Sequence, residues 1–356
     1  MPRVVNVPTP KKILIVRTDR IGDVVLSLPM IPIVKSAMPQ SSITFLLRSY
    51  TQDLMHGQSD LETILLYDNG GIEKSFREML VELRDSRFDA VVVTYPTFRL
   101  AMLMFLARIP LRIGTGYRWY SYLFNERVYE HRKTAEKHEA EYNISLLKPL
   151  GVEAGEHPGP KLVLTDKDYD EAERTLKEMS IKEDRPIAIL HPGSGGSARD
   201  WPPERFGQLA AILAGEGMQV VITKGPSEDD LARSVFTHSD RTAKVLPKPL
   251  PLMSLAALIK KAHVFVSNST GPLHIAAAVG TPVVAFYPPI RQCSPVRWGP
   301  LTQKKIIFEP SSAGCPRCRG GECQSNDCLN AISAGEVAEA VRTIARRKSH
   351  VGAAAG

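Results

Sequence analysis

No uninterrupted apolar run in the chain is long enough to span a bilayer, so a membrane-crossing helix is not expected. The first nine residues lack the apolar centre of a secretory signal, which points to a cytoplasmic protein. A strong charge of one sign is also missing. Lys and Arg number 45 against 38 Asp and Glu, a net charge of +7 that is dispersed along the chain. With no recognised nucleic-acid motif, nucleic acid is not expected as a partner. The mild basic excess suits acidic small molecules or an anionic membrane surface. Cysteine is scarce, five in all, yet four of the five stand close together near the C-terminus.

What is present fits two α/β domains. The 356 residues are 43% hydrophobic and 23% charged, as in a soluble globular protein too long for one small core. Apolar runs at residues 12–17, 43–48, 64–67 and 90–95 read as strands. Residues 21–38 and 72–85 between them read as helices. This βα alternation is the mark of a parallel sheet covered by helices. A Gly/Pro-rich stretch at 151–160 interrupts it. The theme then restarts, with strands at 186–190, 219–224 and 262–266 and helices at 166–179, 204–215, 228–237 and 254–261. The expected division is a first domain at 1–158, a second at 159–345, and a disordered basic tail at 346–356. Ligands in such sheets sit beyond the carboxyl ends of the strands, here in a cleft between two Rossmann-like halves.

Three loops at those ends carry chemistry. The first is Arg17 to Val24, which places Asp23 at a helix start. A carboxylate there could take a proton from an acceptor hydroxyl. Equally, it could only complement the helix dipole, which would lower its pKa and keep it ionised. The second loop runs from His191 to Pro202. Gly193, Gly195 and Ala198 nominally fit a dinucleotide fingerprint, but Pro202-Pro203 delays the helix, and residue 224 is Lys where a ribose-binding acid belongs. A Gly/Ser loop with Ser194 and Arg199 suits a phosphate better. The third is Ser267 to His274. Ser269 or Thr270 can cap the helix that follows, Pro272 suits its first turn, and Gly271 lets a ligand approach the backbone. Such a helix start is an anion site, and His274, one turn in, can reach a bound diphosphate. The alternative is an ordinary βα turn.

Residues 97–133 are rich in Arg and aromatic side chains. They suit an anionic glycolipid at a membrane surface, or else form an amphipathic surface with a solvated basic side. Cys315, Cys318, Cys323 and Cys328, in the loop at 314–328, make a C-x2-C-x4-C-x4-C pattern. Four thiolates could hold a structural zinc or an iron–sulfur cluster, or remain free thiols that pair on oxidation. Cys293 is an unrelated thiol.

Taken in order, Ile21 to Pro29, His191 to Ser194 with Trp201-Pro202, Gly225 to Glu228, and Ser269 to His274 resemble the ADP-heptose:lipopolysaccharide heptosyltransferases. These are glycosyltransferase family 9, of the GT-B fold. The resemblance implies inverting sugar transfer that requires no metal. It implies Asp23 as general base on an inner-core lipopolysaccharide hydroxyl, and an ADP-sugar donor on the second domain. Thr270, Gly271, His274 and Ser194 would contact the diphosphate and Glu228 the ribose, and Met253 would line the adenine pocket. Work on such an acceptor places the protein at the cytoplasmic face of the inner membrane. The chain departs from the family at two positions: the loop lysine is Arg199 and the acid before Thr-Gly is Ser269. Another nucleotide-sugar donor or glycan acceptor, or silent nucleotide-sugar binding, are the alternatives.

Overall fold

The computed structural model describes residues 9–152, 155, 158–182, 184–196, 199–310 and 327–352. Two compact units divide the chain, Met1–Lys133 with Lys137–Lys161, and Thr134–Glu136 with Leu162–Gly356.

The first unit is built on six parallel strands, β1 (Lys12–Val16), β2 (Ser42–Leu47), β3 (Thr63–Leu66), β4 (Ala90–Val93), β5 (Leu111–Thr115) and β6 (Glu126–Val128). Their spatial order is β3-β2-β1-β4-β5-β6. The second unit repeats this with β7 (Ile187–His191), β8 (Gln219–Ile222), β9 (Lys244–Val245), β10 (Val264–Asn268), β11 (Val283–Phe286) and β12 (Lys305–Phe308). Its order, β9-β8-β7-β10-β11-β12, is the same doubly wound pattern. The central strands carry continuous apolar runs because helices bury both faces. Ile13 to Val16, Val91 to Val93 and Val283 to Phe286 are all fully buried.

Each order reverses between its first and fourth strands, β1 and β4 in one unit, β7 and β10 in the other. Side chains leaving the carboxyl ends of those strands therefore flank the switch point where such sheets bind ligands.

The helices differ from the sequence expectation in instructive places. The helix expected over 21–38 is two, α1 (Ile21–Val25) and α2 (Met30–Ala37). Pro29 and Pro32 lack N–H donors and are accommodated only at a helix start. The next helix begins at Phe76, not 72. Ile72–Glu73 pairs with Asp68–Asn69 in a short hairpin whose turn glycines, Gly70 and Gly71, have φ of +62° and +96°. Ser75 then caps α3 (Phe76–Ser86) by accepting from the Glu78 N–H at 3.1 Å. The remaining helices that matter here are α4 (Phe98–Leu106), α5 (Glu139–Ser145), α6 (Asp166–Glu178), α7 (Pro203–Gly215), α8 (Asp229–His238), α9 (Leu252–Lys261) and α10 (Gly271–Ala278). A C-terminal helix spans Ala334–Gly352, so helix continues into the stretch from residue 346 that was expected to be disordered. Arg346, Arg347 and Lys348 favour helix there. Among the described residues no helix is long and apolar enough to cross a membrane.

Candidate active site

In the first unit, Asp23 stands on α1 directly after the switch-point strand β1. Its side chain is 13% exposed. Arg17, the residue after β1, is buried and reaches four groups. Its Nε donates to Asp19 Oδ1 at 2.6 Å, and its Nη2 donates to Asp23 Oδ1. Its Nη1 meets Asn143 Oδ1 at 3.0 Å and Glu139 Oε1 at 3.3 Å. Glu139 and Asn143 lie on α5, and Arg132 donates to both. Asn143 Nδ2 in turn reaches Ser27 Oγ at 3.1 Å, and that hydroxyl donates to the Asp23 carbonyl.

The sequence suggested that a helix dipole would lower the Asp23 pKa. The structure reverses this. Burial pushes the carboxyl up, Arg17 pulls it down, Asp19 and Glu139 push it up again, and it stands at about 6. Helix α1 has five residues, too few to build a dipole that competes with burial.

In the second unit, the loops after β7 and β10 are tied together. Asn268, fully buried at the end of β10, accepts from the Trp201 N–H at 2.8 Å and donates to the Pro192 carbonyl at 2.6 Å. Both ends of the Gly/Ser loop are thus fastened to the residue that immediately precedes Ser269. Inside the loop, Gly195 and Gly196 have φ of +56° and +73°, a conformation that favours glycine. The Glu228 carboxylate accepts from the Gly225 N–H at 2.6 Å and the Gly195 N–H at 3.3 Å. A Cβ on Gly193 would run into the Glu228 carboxylate, so the glycine is what lets that side chain lie against the loop.

Ser194 is buried and hydrogen-bonded to Asp200, whose carboxyl burial raises to about 6. His191 is buried beside Thr223, with Nδ1 at 3.0 Å from the hydroxyl, and burial holds its pKa down at about 4. It is therefore neutral near pH 7. Arg199 is half-buried and close enough to Cys293 to favour its thiolate against burial.

Gly271 opens α10 and Pro272 lies in its first turn, as expected. Thr270 occupies the N-cap position, but its hydroxyl makes no capping bond. Ser269 instead bonds the Tyr287 hydroxyl, which is fully buried. Because that hydroxyl donates its one proton to the Trp298 carbonyl at 2.6 Å, it accepts from Ser269. His274 is buried one turn into α10, and Met253 is buried on α9. Of the four-cysteine pattern, Cys315, Cys318 and Cys323 lie outside the described residues. Cys328 is half-buried against the core of the second unit.

Sequence reasoning did not find the partners of Asp23. An Arg closing an otherwise apolar strand was a visible signal, because a charge beside a core needs company. Glu139 and Asn143, more than a hundred residues away, gave none. Asn268 and Tyr287 were missed because their partners lie across the fold or in another loop, and Asp200 because nothing marked its burial.

A model of glycosyltransferase family 9 (heptosyltransferase) matches residues 76–328. The chain belongs to that family and is a glycosyltransferase. Lipopolysaccharide heptosyltransferase 2 of Salmonella typhimurium is 28% identical over 310 residues, 83% of this chain and 87% of that protein. Among solved structures, the family 9 glycosyl transferase of Veillonella parvula superposes with a TM-score of 0.82 at 22% identity, covering 95% of this chain and 97% of that one. The E. coli ADP-heptose lipopolysaccharide heptosyltransferase II gives 0.77 at 22% identity, covering 95% and 99%. The fold is GT-B.

Proposed function

We propose that this glycosyltransferase moves heptose from ADP-heptose to a lipopolysaccharide inner-core acceptor, inverting the anomeric centre without a catalytic metal. The observation that carries the reading is Asp23: a carboxylate after the first switch-point strand, with one oxygen held by Arg17 and a pKa lifted toward the working range. A base must be ionised to accept a proton and basic enough to hold it, and a value of about 6 meets both demands. Asp23 takes the proton from the acceptor hydroxyl as the oxygen attacks the anomeric carbon. The leaving ADP gains negative charge as the bond breaks. The N-terminus of α10, His274 and Arg199 stabilise that charge. Ser194 joins the diphosphate contacts, Glu228 the ribose and Met253 the adenine. The names of the Salmonella and E. coli relatives support heptose and lipopolysaccharide.

The acceptor reading is also supported by the surface of the first unit. Phe98 and Trp119 stack with centroids 4.9 Å apart while 41% and 72% exposed, and Tyr117 and Tyr122 are exposed in the same segment. Aromatic rings and nearby arginines suit the polar boundary of an anionic bilayer, so the protein works peripherally on the cytoplasmic face of the inner membrane. The C-x2-C-x4-C-x4-C pattern supports a structural zinc that takes no part in transfer.

One observation favours a second reading, a different nucleotide sugar. Ser269 stands where the family has an acid, and its hydroxyl is bonded to Tyr287. Titration calorimetry with ADP, UDP, GDP and their sugar conjugates separates the two. Selective binding of ADP and ADP-heptose is expected. Preference for UDP or GDP selects the second reading, and no binding at all overturns both.

A further inference from the structure

The hydrogen-bonded cluster around Arg17 holds two guanidinium groups, Arg17 and Arg132, and three carboxylates, Asp19, Asp23 and Glu139. Arg17 and Glu139 are each 1% exposed. With all five groups ionised the cluster carries one excess negative charge. One added proton makes it neutral, and burial favours the neutral state.

We propose that Arg17 and Glu139 are positioning residues for the base: Arg17 fixes the Asp23 carboxylate, and Glu139 occupies the far side of the same guanidinium so that it orients Asp23 without quenching it. The proposal rests on Asp23 being the base. Arg17 touches Asp23 only through Oδ1, and among the described residues that is the carboxylate's one side-chain hydrogen bond, leaving Oδ2 to take the proton. A lone buried Arg beside Asp23 would hold it ionised and make it a poor base. Here Asp19 engages Nε at 2.6 Å, and Glu139 and Asn143 engage Nη1, so the positive charge is divided among three acids. Arg132 fastens Glu139 and Asn143 from their other side.

The other charged and titratable groups facing this pocket are already committed or exposed. The Tyr50 hydroxyl donates to the Asp19 carbonyl at 2.5 Å. Arg48 binds the Thr18 carbonyl at 2.9 Å and Glu73 at 2.6 Å. Arg20, beside α1, is exposed.

The test is the pH dependence of kcat for the full chain and four variants. Glu139→Gln removes a negative charge that raises the Asp23 pKa. Its acid limb moves to lower pH by about half a unit or more. Arg132→Gln, at a side chain 26% exposed, leaves Glu139 paired with Arg17 but less neutralised and moves the limb the opposite way. Arg17→Lys keeps the charge but not the fan of donors. It lowers kcat by about 10-fold or more with donor KM changed by no more than about 2-fold. Asp23→Asn tests the underlying reading and abolishes transfer. If Asp23→Asn keeps wild-type turnover, the base assignment fails first. If Asp23→Asn is inactive while Glu139→Gln and Arg132→Gln lower activity uniformly without moving the limb, the cluster is structural and the positioning roles are wrong. Should Glu139→Gln not fold, Arg132→Gln alone decides, because a structural role moves no limb.

Discussion

The buried side-chain amide of Asn268 accepts a hydrogen bond from the backbone N–H of Trp201 at 2.8 Å. Since the same amide donates to the Pro192 carbonyl, one residue sets the span of the Gly/Ser loop and anchors it beside α10. Trp201 is itself fixed. It is 1% exposed, stacks on Phe286 with centroids 4.4 Å apart, and donates from Nε1 to the Ile332 carbonyl at 3.1 Å. Both ends of the loop are therefore tied to the strand end that leads into α10, as a preorganised anion site requires. Asn268→Ala strands two buried backbone groups. It should destabilise the protein by about 2 kcal/mol and weaken ADP binding about 10-fold. Thermal unfolding and calorimetry on the same sample measure both; a variant that loses stability but keeps full affinity contradicts the link.

Gly193 and Glu228 give a test with the opposite balance. The Cβ of Gly193→Ala meets only the end of a flexible side chain, so Glu228 swings away and its bond to the Gly225 N–H breaks. Donor affinity should fall by about 10-fold while the fold keeps most of its stability. Gly207→Ala is the contrast. Its Cβ would come within 2.7 Å of the His238 backbone where α7 packs on α8, so stability falls and the remaining folded protein binds donor normally.

The raised Asp23 pKa has a stability consequence with a definite sign. The folded protein holds this proton up to about pH 6, whereas an unfolded chain releases it near the reference value of 3.8. Above that reference value the folded state binds more protons, so the contribution of Asp23 to stability falls as pH rises from about 4 to 6 and stays low beyond. Asp23→Asn should therefore raise the unfolding temperature at pH 7.5, by about 1 to 3 °C, and make little difference at pH 4. His191 titrates the other way, since burial depresses its pKa, but it is common to both proteins and cancels in the difference.

Trp119 offers a surface test. Trp119→Ser removes a ring that is 72% exposed and whose ring contacts are with Phe98 and the Tyr120 ring at the margin of the core. Vesicles containing anionic lipid should bind the variant about 3-fold more weakly or worse, with unchanged unfolding temperature and unchanged ADP affinity. Equal vesicle binding removes the aromatic surface from the membrane account.

The cysteine pattern predicts about one zinc per purified chain, lost in Cys318→Ser without loss of ADP affinity. Metal-free protein with four reactive thiols contradicts it.

The sequence made the architecture readable because parallel strands buried on both faces are written as apolar runs such as residues 13–16 and 90–93. It placed Asp23, Ser194 and the start of α10 correctly at strand ends. Two kinds of information were not local enough to read. One is termination: Pro29 and Pro32 split a periodic helix, and the Asn69-Gly70-Gly71 turn took Ile72 out of α3. The other is pairing across the fold. Nothing near Asp23 announces Glu139, yet that residue helps decide the basicity on which the proposed chemistry depends. The dipole argument misjudged the direction of the shift because it weighed α1 without knowing how deeply the carboxylate sits.

The most direct measurement is a single-turnover assay with ADP-heptose and an inner-core lipopolysaccharide acceptor, comparing the native protein with Asp23→Ala while donor affinity is measured in parallel. The account predicts transfer by the native protein, and near-normal donor binding with transfer reduced by about 1,000-fold or more in the variant. Transfer by Asp23→Ala at the native rate, or no transfer from ADP-heptose by the native protein, would contradict it.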